Sequence, residues 1–227
     1  MDMKTMTTLK MALWGTLAIT QIGCSDAEVL DNNIEEEQLA LNDLNAQISA
    51  LPQETLSDAE ISGLMHLREE EKLAQDVYLF LYQKYGTNIF NNIGQSESTH
   101  MAAVGSLIEK YGLTDPVDTN GPGVFENQEL QDLYDTLVAQ GSESLLAAYR
   151  VGATIEDLDL YDLAQMLTQV DNQDITLVYE NLSKGSRNHM RSFYGKITGE
   201  GATYTAQFID QALLEAIVNS PKETGSH

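Results

Sequence analysis

The chain has 227 residues, in which 12 Lys and Arg face 35 Asp and Glu for a formal net charge of -23 and a pI near 4.2. Such a field repels nucleic acid and anionic lipid and concentrates cations, so a nucleic-acid-binding role is excluded. Cys24 is the one cysteine, which also excludes an intramolecular disulfide and a cysteine-built zinc or copper centre, and the length suits one domain with a full core.

Residues 1–24 read as an export signal: Lys4 and Lys10 precede an apolar run from Met11 to Ile22 that is too short for a permanent membrane span. Gly23-Cys24 resembles the lipobox of bacterial lipoproteins. That resemblance implies a lipidated Cys24 anchored in the cell envelope, with Ser25 suiting the outer membrane. Gln21 stands where the pattern favours Leu, and ordinary cleavage to a periplasmic or secreted protein stays open. Residues 25–56 form an acidic spacer with Glu35-Glu36-Glu37 and Pro52. Within it Ile34, Leu41, Leu44, Ile48 and Leu51 keep a rough helical period, as in an amphipathic segment that docks or pairs.

The folded domain is expected over residues 57–199. Ser57 to Glu60 is a capping-box signature, and helical periodicity then persists to Tyr85, where Gly86 stops it. About 28 residues at about 1.5 Å each make a rod of about 42 Å. A second helix runs from about Asn88 to Tyr111, with Gly112 as its stop. Pro116, Gly121, Pro122 and Gly123 then break the pattern, and Asn127 to Gln140 reads as a short helix inside a long connection. The third long helix spans roughly Ser142 to Val170, and Asp171-Asn172-Gln173 turns the chain into a fourth, from about Asp174 to Thr198. Two tight helical hairpins joined by one long crossover predict an all-α, ferritin-like four-helix bundle. Beyond it, residues 200–227 hold a break at Gly199 to Ala202 and a short helical pattern from Tyr204 to Val218 that packs on the bundle or mediates association. No pattern fixes an oligomeric state.

Glu97 and His100 lie one helical turn apart on the face that carries Ile93, Val104, Leu107 and Tyr111. A carboxylate and an imidazole therefore point into the core. On the first helix, Glu71 falls on the inward stripe of Leu64, Leu67, Ala74, Tyr78 and Leu81. Glu69, Glu70 and Asp76 fall elsewhere on the wheel and read as solvated, with Glu70 near enough to stand in for Glu71. Glu156 and Asp159 align with Gly152, Leu163 and Leu167 on the third long helix, and Ser186 and His189 with Leu182 and Phe193 on the fourth. Four carboxylates and two imidazoles on four apolar stripes make a costly core unless divalent cations neutralise it.

Dimetal sites in bundle cores use a Glu from each of two helices and a Glu-x-x-His from each of the other two. Glu97 with His100 fills one such pair, and Glu71 and Glu156 fill the single-Glu roles. Ser186 stands where the second pair needs its glutamate, and Asp159 is the carboxylate that could replace it. The expected cofactor is two divalent ions, iron or manganese, since hard oxygen donors favour these metals. Glu97 and Glu156 would bridge, with Glu71, Asp159, His100 and His189 as terminal ligands. Tyr78 and Tyr149 near the stripe, with Arg187 and Asn188 beside His189, are candidates to support the ligands. His66 and His227 have no partner at useful spacing and read as bystanders.

Levels along the helices can be compared. Counted from the turn at residues 171–173, Glu156 and Asp159 lie about 16 and 13 residues back, and Ser186 and His189 about 14 and 17 forward, a good match. Counted from Thr87, Glu71 lies about 16 back but Glu97 and His100 only about 10 and 13 forward. A tilt or a longer loop must absorb that difference.

The strings Arg68-Glu69-Glu70-Glu71-Lys72-Leu73-Ala74, Ser96-Glu97 with His100-Met101, Gly123-Val124-Phe125, Gly152 through Glu156 with Asp159, and Gly185-Ser186-Arg187-Asn188-His189 resemble the ferritin-like family catalogued as domain of unknown function 2202. The resemblance covers about Leu64 to Ile197. Through that family's likeness to ferritins and rubrerythrins it implies a dimetal-binding bundle, and Ser186 departs from rubrerythrin-type sites. Three readings stand together: a redox dimetal protein acting as ferroxidase, peroxidase or small-substrate oxidase; an exported module that sequesters or delivers a cation without turnover; and a structural or interaction bundle with a vestigial site. One geometric point divides them. If the carboxylates and the imidazoles of His100 and His189 do not converge within ligand reach, both metal readings fail.

Overall fold

The computed structural model describes residues 39–117 and 119–224; the export signal, Cys24, the first part of the spacer and His227 lie outside them. Helical residues 39–50 come first. Six helices follow: α1 Asp58–Tyr85, α2 Asn88–Tyr111, α3 Gln128–Gly141, α4 Leu145–Leu167, α5 Gln173–Gly199 and α6 Gln211–Val218. No strand occurs among the described residues.

Local chemistry sets the helix ends. The amide of Glu60 donates to Ser57 Oγ at 3.2 Å while Glu60 Oε2 takes the Ser57 amide at 2.8 Å, so a capping box opens α1. Gly86, at φ 64°, takes the left-handed conformation that closes α1, and its amide donates to the Tyr82 carbonyl. Only two residues separate α1 from α2, which folds them into a hairpin. Ser144 caps α4 through the Ala147 amide, so that helix starts at Leu145 rather than Ser142. The C-terminal helix is also shorter than its periodicity predicts. Asp157 accepts the amides of Gln207 and Ile209, and the segment before Gln211 is non-helical.

α1 packs chiefly against α2 and α4 chiefly against α5, while α2 also meets α5 and α1 meets α4. The four long helices thus form a bundle of two hairpins. The crossover helix α3 lies against α1 and α4, and α6 lies against α5. Helical residues 39–50 dock through Ile48, which is buried with Leu64, Leu107 and Ile175. Lys110 Nζ holds that segment's end at the carbonyls of Ile48 (2.8 Å) and Leu51 (3.1 Å).

The apolar core is split in two. One cluster gathers Leu73, Val77, Phe90, Ile93, Ile155, Met190 and Phe193; the other gathers Leu64, Leu67, Val104, Leu107, Leu163, Ile175 and Leu182. The clusters divide around residues 70–71 on α1, 97–100 on α2 and 186–189 on α5, and between Leu160 and Leu163 on α4, just past Glu156 and Asp159. The buried polar groups of the long helices therefore stand at or beside the division, as a layer between two hydrophobic ends.

Candidate metal centre

Glu97 occupies the middle of this layer. Its Oε2 lies 2.7 Å from His100 Nδ1 and its Oε1 lies 2.8 Å from His189 Nδ1. A second carboxylate faces each imidazole: Glu71 Oε2 is 3.3 Å from His100 Nδ1, and Glu156 Oε2 is 3.5 Å from His189 Nδ1. Two triads result, Glu71–Glu97–His100 and Glu97–Glu156–His189. Within each, the potential ligand atoms lie within 4.8 Å of one another. The two imidazole rings are 5.5 Å apart between centroids.

These contacts are at ion-pair distance for protonated rings, though none has aligned hydrogen-bond geometry. Both oxygens of Glu71 and of Glu97, Oε2 of Glu156 and both Nδ1 atoms are buried and lack an aligned hydrogen-bond partner. Carboxylate oxygens and ring nitrogens that converge on shared points with no amide, Lys or Arg between them fit cations, whether a proton on each ring or a metal ion. The other side of each ring is also prepared. His189 Nε2 lies 3.1 Å from Ser96 Oγ, which leaves Nδ1 for the cluster. His100 fits against Gly185, where a Cβ would come within 2.3 Å of its Nε2. Tyr78 donates to Glu156 Oε1 at 2.5 Å, so Oε2 of that carboxylate is the oxygen turned to His189.

The offset counted from Thr87 closes at His100, not at Glu97. A difference of about three residues, or about 4.5 Å along the axes, is bridged because the Glu71 side chain reaches the imidazole rather than the α2 carboxylate.

Residues 60–221 match the model of a family described as an uncharacterized protein domain, DUF2202. The chain belongs to that family. It is 51% identical over 178 residues to the uncharacterized protein MJ0754 of Methanocaldococcus jannaschii, a match spanning 78% of this chain and 96% of that protein. A crystal structure of the hypothetical protein MJ0754 from Methanococcus jannaschii DSM 2661 is similar with a TM-score of 0.75 at 50% identity, covering 77% of this chain and 99% of that one. The DUF2202 span includes both triads.

In this DUF2202 chain the layer's protonation follows from its charge balance. Burial opposes ionisation of Glu97, but the His189 and His100 charges outweigh it and hold the carboxyl well below its ordinary value. Burial, with Glu97 and Glu156 adding and His100 opposing, raises Glu71 from 4.5 to about 7. Burial also raises Glu156. It works against protonated His189, yet Glu97 and Glu156 prevail and raise that ring from 6.5 to about 10. His100 is likewise raised well above its usual value, by Glu97 and Glu71 against burial. Protons thus stand in for positive charge that no Lys or Arg among the described residues supplies to these acids in an ion pair. Among the basic groups on the same stretch of α1, Arg68 is bound to Asp115 at 2.8 Å and Lys72 to Asp76.

Other candidates sit differently from their sequence reading. Asp159 is buried but belongs to neither triad. After burial itself, Glu70 is the strongest of the groups that raise its carboxyl, with Glu156, Glu71 and Glu97 adding to it. Ser186 donates to the Leu182 carbonyl at 3.1 Å and offers no ligand in place of the absent glutamate. Tyr149 stacks on Phe90 with centroids 5.6 Å apart. Arg187 binds Glu223 at 2.8 Å and Asn188 donates to the Glu223 carbonyl at 3.0 Å, so both grip the C-terminal tail instead of the ligands.

Glu69, Glu70 and Asp76, expected in solvent, are all buried. The crossover covers two of them: the amides of Glu126 and Asn127 donate to Glu69, and that of Gly123 to Asp76. His66, read as a bystander, stands with Glu70 and Asp162. Its spacing from Glu70, one turn along the helix, was a usable signal. Gly185 and Ser96 had no signal beyond their place in the quoted strings.

Proposed function

We propose that this chain is a ferritin-like protein that holds two divalent cations, iron or manganese, on either side of Glu97 and uses them in redox chemistry on oxygen, peroxide or a small substrate. One observation carries the reading: a buried carboxylate sits between two imidazole Nδ1 atoms at 2.7 and 2.8 Å, with a further glutamate beside each ring. The two hairpins and the helix-bearing crossover suit a ferritin-like bundle, whose core is where such centres are built.

Glu71, Glu97 and His100 would hold one ion in this reading, and Glu97, Glu156 and His189 the other. Bound ions would supply electron transfer in a site walled from water. The chain's own groups set the conditions. Each imidazole must release its Nδ1 proton to become a ligand, and His189 keeps the other proton on Nε2, donated to Ser96 Oγ. Tyr78 orients Glu156 by occupying its outer oxygen. The apolar clusters above and below exclude solvent.

Ser186 favours a second reading, a module that sequesters or delivers a cation without turnover, because its hydroxyl is committed to its own helix and the second motif lacks its glutamate. For location, the leader and Cys24 support an exported, lipid-anchored protein of the cell envelope. The mass of the mature chain tests this, since lipidation adds a diacylglycerol at Cys24.

Anaerobic titration of the metal-free full chain with Fe(II) or Mn(II) tests the centre. Two tightly held ions per chain and a raised Tm are expected, and Glu97→Gln should abolish both. Oxygen uptake by the Fe(II)-loaded chain selects the redox reading, and tight binding without uptake selects the second. A chain that neither binds ions nor gains stability with them overturns both.

A further inference from the structure

A second group of ligand-type side chains stands outside the centre. His66 on α1 and Asp162 on α4 meet across the helix interface with Nε2 and Oδ2 3.6 Å apart, and Glu70 Oε2 lies 3.8 Å from the same ring nitrogen. The three offer ligand atoms within 4.8 Å of one another. Their exposure is graded. The side chain of His66 is 36% exposed, that of Asp162 25% and that of Glu70 2%. His66 and Asp162 line a surface cavity of about 470 Å³ between the two helices, so one side of the group is open to water and the other ends inside the bundle.

Glu70 is the independent sign that the group is more than a pair of surface acids beside a histidine. Its carboxylate is buried, and neither oxygen has a hydrogen-bond partner. The basic residues two before and two after it, Arg68 and Lys72, are bound to Asp115 and Asp76. A buried carboxylate that no amide or ammonium satisfies, directed at an imidazole and a second carboxylate at the edge of a surface cavity, has the donor set of a cation site whose coordination water could complete.

We propose that His66, Glu70 and Asp162 form a third cation site, labile and partly hydrated, through which divalent ions reach the buried centre. The site itself stands on the geometry above; its role as an inlet rests on the dimetal reading. Glu70 joins the two places. It is adjacent to Glu71 in the chain, and Asp159 interacts with Glu70 of the outer group as well as with Glu156 and Glu71 of the centre, so acids of the two sites are neighbours. The half-exposed position of His66 lets hydrated ions dock before they lose water.

Anaerobic loading of the full chain with Mn(II), followed by the EPR signal of free ion, separates the two sites. The wild-type chain should take up three ions, two tightly and one weakly. The His66→Ala/Asp162→Asn chain should lose the weak ion and fill the centre more than about tenfold slower; His66→Gln alone, a milder change at a half-exposed position, should weaken the third ion in the same direction. Glu97→Gln should keep the weak ion while losing the tight ones. Unchanged uptake and rate in the double variant overturn the proposal, and loss of the weak ion with an unchanged filling rate overturns the inlet role. If Glu97→Gln binds like the wild type while the double variant loses an ion, the dimetal reading fails and the outer site stands alone.

Discussion

Two sets of buried acids occupy this bundle, and they differ only in what meets them. Glu69, Asp76, Asp157 and Asp174 are each well supplied. Glu69 takes the amides of Glu126 and Asn127, Asp76 takes Lys72 and the Gly123 amide, and Asp174 takes Lys110 Nζ at 2.6 Å and the Tyr111 hydroxyl at 2.9 Å. Asp157 takes the Tyr204 hydroxyl at 2.8 Å with the amides of Gln207 and Ile209. Each fastens a loop or a helix end to the bundle. Glu70, Glu71, Glu97, Glu156 and Asp159 are buried as deeply, at 2% exposure or less, yet each leaves at least one oxygen without a partner. Burial of a carboxylate is therefore routine in this fold, and the missing donor is what marks the functional layer.

The widest gap between the sets should appear on removing a partnered acid. Asp157→Ala strands the Tyr204 hydroxyl and the amides of Gln207 and Ile209, at a cost on the order of 3–5 kcal/mol and roughly 10 °C in Tm. Calorimetry should show that loss, and metal stoichiometry in the folded fraction should be unchanged. A Tm within a degree or two of wild type would mean that partners do not distinguish the sets.

Gly185→Ala should do the reverse. An added Cβ would meet His100 Nε2 at 2.3 Å, and the imidazole can move only by leaving its alignment with Glu97. Affinity for the tight ions should fall about 10–100-fold, while the metal-free chain changes less, because the about 1 kcal/mol by which alanine favours a helix interior over glycine offsets part of the cost of moving His100 off Glu97 and Glu71. Equal titration curves for the two proteins would remove His100 from the ligand set.

How far this division could be read beforehand depends on the residue. Helical period alone puts Glu71, Glu97, His100, Glu156 and His189 on inward stripes, because a side chain's face is fixed by its spacing from apolar neighbours. Period cannot tell Asp157 from Asp159, or Glu69 from Glu70, as partnered or orphaned. The deciding donors come from residues 123–127 and 204–209, non-helical segments whose amide directions no periodicity encodes. Arg187 and Asn188 beside His189 show the same limit: adjacency in sequence turned them about the helix, toward Glu223. Glu70 and Asp162 sit on different helices, so His66 acquires its second carboxylate only through the packing of α1 on α4.

Acidity probes the orphaned set directly. Glu71 is raised from 4.5 to about 7, so the stability it contributes is fully present below pH 4.5 and is lost as pH rises through about 7. His189, raised from 6.5 to about 10, has the same sign over a later window, full below pH 6.5 and lost toward pH 10. Glu97 is depressed and acts oppositely, losing its contribution as pH falls below 4.5. Between pH 5 and 8 the chelated protein should therefore lose on the order of 1–3 kcal/mol, and Glu71→Gln should lose less over the lower half of that range. Denaturant melts at four pH values decide it: parallel curves for the two proteins would remove Glu71 from the titrating layer.

The smallest effect has the most telling sign. Asp159→Asn removes an ionisable group that must hold a proton or repel Glu70, Glu156 and Glu71, so in the chelated protein at pH 8 it should be neutral or stabilising by up to about 1 kcal/mol. The same kind of change at Asp157, two residues earlier on the same helix, is destabilising. Because Asp159 stands outside both triads, both tight ions should still bind. Loss of an ion would return Asp159 to the role Ser186 leaves open, as the second motif's missing carboxylate. A loss of stability as large as at Asp157 would show that its unpaired oxygen has a donor in solution, and orphaned oxygens would then no longer separate ligands from fasteners anywhere in the bundle.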